Sequence, residues 1–359
     1  MKATLMLQDG RSFNAGAYGG SGERIGEVVF NTAVVGYQEL VTDPANAGKI
    51  LVLTYPLIGN YGIAPKFNES AQCWVSGLVI KEGSNIYSNW QAKSSLQDFV
   101  KKENLLMLSG LDTRALTVHL RNKGAMPGII STQDNSAKEL LAKIEAWRKN
   151  KPQSFLSQVS VTKPSVVTKS KTKAYLAVLD LGVTRSTIKQ LLALGFSLKL
   201  FPYNASAEEI LHGRPRALVI AGGPEDDPEL AGVISNIKPL LKRLPILGVS
   251  LGHQVLAAAL GAKIIKMKLG HRGLNYPVCQ GNSYKAQITV QNHGWTVDVN
   301  SLSKIKGVKI TGYNLNDRST EEMESKNLKL IGVQYYPVSP GFDEINPIFK
   351  KFMKMIKEY

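Results

Sequence analysis

Two rhythms of apolar and polar residues divide this chain, and they change over near residue 174. Before it, short apolar runs (Glu27–Phe30, Ile50–Thr54, Trp74–Ile80) are set among glycines. They are interleaved with helix-period stretches at Ser94–Lys102, Thr113–Asn122 and Ala137–Lys149. Period-2 and period-3.6 segments mixed without regular alternation predict an α+β domain. After residue 174 the alternation is regular. Ala174–Asp180, Ser197–Phe201, Ala217–Ala221 and Pro245–Val249 are strand-length, nearly continuous apolar runs. Helical patterns at Thr184–Leu194, Glu208–Leu211, Ile234–Lys242 and Leu251–Leu260 separate or follow them, with Gly195 and Gly261 as stops. Strands apolar on both faces, alternating with helices, predict a doubly wound α/β domain around a parallel sheet. Between the two regions, residues 151–173 are rich in Ser, Thr, Lys and Pro, have no helical period, and read as a linker. The expected organisation is therefore a domain over 1–150, a linker over 151–173 and a second domain over 174–359.

Composition narrows the function classes. Hydrophobic residues make up 43% of the chain and charged residues 20%, which suits globular domains with real cores. No apolar run approaches the ~20 residues of a membrane-spanning helix, and the N-terminus lacks a signal-peptide pattern, so a cytoplasmic, non-membrane protein is expected. The net charge of +16 raises the question of nucleic acid. Residues 1–150 carry 16 basic and 13 acidic side chains, residues 151–173 carry 5 basic and none acidic, and the remainder 23 and 15. The densest positive block is thus the linker, with no nucleic-acid-binding motif beside it, and no nucleic-acid partner is expected. The two cysteines, Cys73 and Cys279, have neither disulfide-framework nor metal-site spacing. No cofactor and no metal are expected.

The chemistry centres on Ser250. It follows a strand and precedes a helix within Gly248-Val249-Ser250-Leu251-Gly252. Such a strand–turn–helix lifts one side chain above the sheet edge, a nucleophile elbow, and the helix N-terminus supplies free N–H groups for an oxyanion. By itself the pattern fits a serine hydrolase or a tight turn that happens to carry Ser. The surrounding sequence says more: GVSLGHQVLAAALGAKIIKM from Gly248, then Gly270-His271-Arg272-Gly273, then Gln291-Asn292-His293-Gly294-Trp295, then Val333–Gly341. Together these resemble the class I glutamine amidotransferase domain of the carbamoyl phosphate synthetase small subunit. Gly26–Gly62 and Leu111–Gly128 resemble the N-terminal domain particular to that subunit. The resemblance covers both domains in order.

It implies a Cys–His–Glu glutaminase, and this chain departs from it at each triad position. Ser250 stands at the Cys of G-x-C-x-G-H-Q, and Tyr336 and Val338 stand at the His and Glu of H-P-E, with one residue missing before Ser339. A hydroxyl needs a base to become a useful nucleophile, whereas Cys is already partly thiolate near neutrality. Tyr, with a reference pKa of about 10, cannot supply that base near pH 7. In the family turn N-G-P-G-D-P, here Gly222 to Asp227, Gly223 keeps the first Gly as a pocket position, Glu225 replaces the second, bringing bulk and negative charge towards the oxyanion position, and Ala45 replaces a glutamine-contacting Ser. Leu251, Gln254, Asn292 and Gly294 match glutamine-contacting positions, and Trp295 replaces an aromatic Phe. A lone Cys-to-Ser exchange would not bring these other changes with it. His253, His271 and His293 match family positions and read as packing or hydrogen-bonding residues around the former pocket.

The resemblance thus implies a small-subunit-like protein unable to hydrolyse glutamine, partnered by a large subunit that uses free ammonia, with glutamine as a possible non-hydrolysed ligand. Two alternatives stand beside it: a weak serine-dependent hydrolase at Ser250 using His253 or His293, and a free-standing binding protein. Against the hydrolase stands the lack of a histidine late in the chain, where the order Ser…Asp…His places one.

Overall fold

The computed structural model describes residues 1–150, 154–168, 174–281, 285–341 and 344–359. The chain forms two compact units, Met1–Gln153 and Ser154–Tyr359.

The first unit is built on a closed barrel. Its strands are β1 (Lys2–Leu7), β2 (Ser12–Gly19), β3 (Glu23–Asn31), β4 (Lys49–Leu53), β5 (Gly77–Val79), β6 (Leu106–Ser109) and β7 (Met126–Ser131), in the order β1-β2-β6-β5-β4-β3-β7. Closure removes the free edges that an open sheet of short strands would expose. The α+β expectation holds, since helices at Leu96–Lys102, Thr113–Lys123 and Ala137–Lys149 accompany the strands. Each starts where a side chain takes up orphaned N–H groups: Ser95, Asp112 and Ser136, the last in a capping box with Glu139. Alternation divides the apolar residues into two clusters. Leu5, Val28, Ile50, Val52, Leu106 and Ile130 fill one, and Val29, Leu51, Leu53, Leu78 and Met107 the other.

The second unit holds a ten-stranded sheet. Strands β8 (Ser165–Val167), β9 (Tyr175–Asp180), β10 (Ser197–Pro202), β11 (Leu218–Ile220), β12 (Ile246–Val249), β13 (Ile264–Gln280), β14 (Ala286–Val297), β15 (Lys309–Asn314), β16 (Thr320–Ser325) and β17 (Leu330–Val333) are ordered β8-β10-β9-β11-β12-β17-β16-β15-β13-β14. The segment β10-β9-β11-β12-β17 is parallel, and its alternate residues face opposite layers. Ala177, Leu179, Ile220 and Ile246 pack with Val255 and Leu256 on one face. Leu176, Val178, Val219 and Leu247 pack with Leu191, Phe349 and Phe352 on the other. Both layers are therefore buried, as the unbroken apolar runs require.

Three local readings differ from the sequence expectation. The expected linker contains a short helix, Leu156–Val159, and the edge strand β8, which pairs antiparallel with β10. Asp227 anchors this helix, its carboxylate accepting from Ser154 Oγ and from the Phe155 and Leu156 amides. The helix expected at Ile234–Lys242 runs instead over Leu230–Ile237 and tightens into a 3-10 turn at Lys238–Leu240. Pro239 has no N–H to continue the α ladder, which ends the helix there. The sheet is not wholly parallel either: β13 and β14 form a long antiparallel hairpin.

Candidate active site

The parallel strand β12 ends at Val249, and the helix Leu251–Ala259 begins two residues later. Ser250 alone makes the turn, with φ 53° and ψ −114°, a conformation that L-residues rarely adopt. Its amide donates to the Val333 carbonyl of the adjacent β17 at 2.8 Å, which pins the turn to the sheet edge. The flanking glycines are sterically required. A Cβ on Gly248 would lie 2.5 Å from the Gly252 carbonyl oxygen, and one on Gly252 would lie 2.0 Å from that of Ile220.

The structure brings Ser250 and Tyr336, two of the expected triad positions, to the same place. A Cβ on Gly222 would lie 3.3 Å from Ser250 Cβ and 3.4 Å from Tyr336 Cε1, so both side chains flank this glycine. Gly223 cradles the backbone, since a Cβ there would fall 1.8 Å from the Leu181 carbonyl oxygen. Tyr336 is fixed through its amide, which donates to Val290 O at 2.9 Å. Val338, 38% exposed, presents only an apolar side chain, and its carbonyl accepts from Asn346 Nδ2. Ser250 is buried; the His253 amide donates to its carbonyl, but no histidine side chain among the described residues bonds to it.

The five histidines differ in their surroundings. His119, in the first unit, pairs with Asp9, and His212 is exposed at the end of the helix Ala207–His212. His253 lies inside the helix after the elbow, fully buried, with Nδ1 facing Gly332, and burial pushes its pKa down to about 3. His293 turns Nδ1 to the Trp295 carbonyl and Nε2 to Gln291 Oε1, and burial brings it down to about 4. Burial also opposes charge on His271, but hydrogen bonds to Asp317 and Glu321 outweigh this and raise it to about 9. The same contact holds Asp317 well below the usual carboxylate range against the cost of its burial.

His271, His293 and Glu321 come within 4.8 Å of one another, a set that could hold a metal and that sequence spacing did not show. The imidazole nitrogens already face Gln291, Asp317, Glu321 and Trp295, while Glu321 Oε2 is buried without a hydrogen-bond partner.

Four of the expected substrate-contacting positions converge. The register of β13 against β14 slips between the Lys266–Trp295 and His271–His293 pairs, so that residues 267–270 of β13 bulge opposite Gly294 alone. The Gly294 and Trp295 amides there donate to the Glu225 carboxylate at 2.6 and 3.2 Å. Gln254, on the helix after the elbow, adds Nε2 at 2.7 Å and also reaches Trp295 O. Sequence reasoning missed Gln334, whose side-chain oxygen lies 3.3 Å from the same Nε2; it stands in the motif beside Tyr335-Tyr336 and could have been read from it. Leu251, Gln254 and Trp295, with Leu230, Ile234 and Val255, also line a mostly apolar cavity of about 170 Å³. Asn292 is buried in β14, opposite Arg272. Ala45 lies in the other unit, buried in the 3-10 turn Pro44–Asn46; its amide donates to Asp43 Oδ1 and its carbonyl accepts from Lys49 Nζ.

Residues 5–130 match the family described as carbamoyl-phosphate synthase small chain, CPSase domain, and residues 177–355 match glutamine amidotransferase class-I. A carbamoyl phosphate synthase small chain of Caldanaerobacter subterraneus is 40% identical over 362 residues, covering 100% of this chain and 98% of the relative. The pyrimidine-specific small chain of Bacillus subtilis is 38% identical over 99% of this chain and 96% of its own length. The Syntrophotalea carbinolica small chain is 36% identical across 100% and 98%.

Proposed function

The chain belongs to the carbamoyl phosphate synthase small chain family, and from that premise we propose that it is a small chain that has lost glutamine hydrolysis and serves a large chain working on free ammonia. One observation carries the reading: Ser250 sits on an intact elbow with Tyr336 and Val338 at the positions where the family pattern has a base and its orienting carboxylate, and no histidine side chain among the described residues bonds to Ser250. Without a base the hydroxyl stays protonated through any approach to an amide carbon, and removing such a unit in a serine protease costs on the order of 10⁶ in rate.

Partnership with a large chain draws support from the first unit, where Val34, Val35, Ile86 and Trp90 are each more than half exposed. Val34 and Val35 are neighbours in sequence, and contiguous exposed apolar side chains are what a protein interface covers. No helix among the described residues is long and apolar enough to cross a membrane, and the work proposed for the chain belongs in the cytoplasm.

The test is purification with the cognate large chain. Ammonia-dependent synthesis of carbamoyl phosphate should proceed and glutamine should release no ammonia above a buffer control. A glutamine turnover near ~1 s⁻¹, ordinary for an enzyme, would overturn the reading. The strained turn at Ser250 favours a second reading, a weak serine hydrolase. Labelling of Ser250 by a fluorophosphonate, absent in Ser250→Ala, would establish it.

A further inference from the structure

The Glu225 carboxylate is held the way a bound ligand would be. It receives two successive backbone N–H groups, Gly294 and Trp295, and one side-chain amide, Gln254 Nε2. All three donors come from elements distant in sequence from the turn that carries Glu225. The backbone donors lie where residues 267–270 of β13 bulge opposite Gly294, and Gln254 is set by the helix after the elbow. Charge-assisted bonds of this kind are about twice as strong as neutral ones and select a planar, two-oxygen anion. The family pattern read from the sequence has Gly at the position of Glu225, and a Gly would leave the three donors without this partner.

We propose that Gly294 N–H, Trp295 N–H and Gln254 Nε2 form a receptor for a small carboxylate, occupied in cis by Glu225, so that the pocket is closed by the chain's own side chain. The inference deepens the reading of a lapsed glutaminase and rests on it. It supplies a second, independent reason for inactivity: a free amino acid would have to expel a tethered carboxylate that carries no translational entropy cost of its own. It also names the class of ligand the site takes once Glu225 is removed, a carboxylate of acetate or amino-acid size.

Glu225→Ala and Glu225→Gln, in the full chain, separate the outcomes. Glu225→Ala should melt below the parent protein, and potassium acetate should restore most of the loss saturably where equal chloride does not. The parent and Glu225→Gln, whose pockets remain filled, should be unmoved by acetate. A natively folded Glu225→Ala that acetate shifts no more than chloride overturns the receptor, as does a parent protein that acetate stabilises equally. If Glu225→Ala does not fold, hydrogen exchange in Glu225→Gln decides: the Gly294 and Trp295 amides should exchange about tenfold faster on losing the charged acceptor, and unchanged protection refutes the proposal. Glutamine hydrolysis by the parent complex would instead overturn the functional reading, whatever acetate does.

Discussion

On the proposed reading, Ser250 keeps the geometry of an elbow without the chemical partners that glutamine hydrolysis needs. The turn holds φ at 53° and places the side chain beside Gly222, yet the neighbour across that glycine is a phenol ring. Ser250→Cys should therefore leave glutamine hydrolysis at the buffer control, because a thiolate alone lacks the proton shuttle that returns a proton to departing ammonia. Adding Tyr336→His and Val338→Glu should raise hydrolysis measurably above Ser250→Cys, while Glu225 holds it far below the median enzyme turnover of about 10 s⁻¹. Single-turnover assays of ammonia release distinguish the two variants. If Ser250→Cys alone restored turnover, another group would have to be acting as base.

At the level of elements, close packing around the elbow depends on glycine. Gly252→Ala would set a methyl 2.0 Å from the Ile220 carbonyl oxygen, and backbone cannot yield there without moving β11. Overpacking of this kind costs about 3 kcal/mol, readable as a lowered denaturant midpoint, whereas Gly232→Ala on the helix Leu230–Ile237 meets nothing within 4 Å and should not destabilise. The buried histidines set the pH dependence. His253 and His293 fall from the ordinary 6.5 to about 3 and about 4, so their contribution is complete above about 6.5 and is lost as pH falls towards those values. His271 rises to about 9, so its contribution is complete below 6.5 and is lost as pH climbs through 9. Asp317, held low, contributes above the ordinary carboxylate value of 3.8 and loses that only in stronger acid. The melting temperature should peak near pH 6.5 and decline on both sides, and His271→Gln should flatten the alkaline limb. A parent profile that rises from pH 7 to 9 would contradict this assignment.

For the whole molecule, the expectation is assembly. Coexpressed with its large chain, the protein should co-elute on gel filtration at micromolar concentration through an interface of ~1,600 Å² or more. Val34→Asp with Val35→Asp should weaken that association at least tenfold while leaving the far-ultraviolet circular dichroism unchanged, since both residues are over half exposed. Separate elution of the parent chains, with no effect of either on the other, would favour a free-standing binding protein.

The sequence alone determined the alternation of strands and helices in the second unit, because segments such as 175–180 and 246–249 are apolar on both faces and carry their own stop signals. It also showed the strand–Ser250–helix pattern of the elbow and the Ser, Tyr and Val at 250, 336 and 338, where the resemblance implies Cys, His and Glu, since these are matters of which side chain stands at which position. Barrel closure in the first unit was not legible, because it depends on pairings such as β1 with β7, more than a hundred residues apart, which no local period encodes. The hairpin of β13 and β14 was hidden by its mixed polar composition. Its bulge, which turns two amides onto Glu225, is a property of register between strands. The sequence flagged Glu225 as a bulky charge near a developing negative charge. Only the tertiary structure decided that the charge is satisfied, because the donors that satisfy it come from a helix and a strand 29 to 70 residues away.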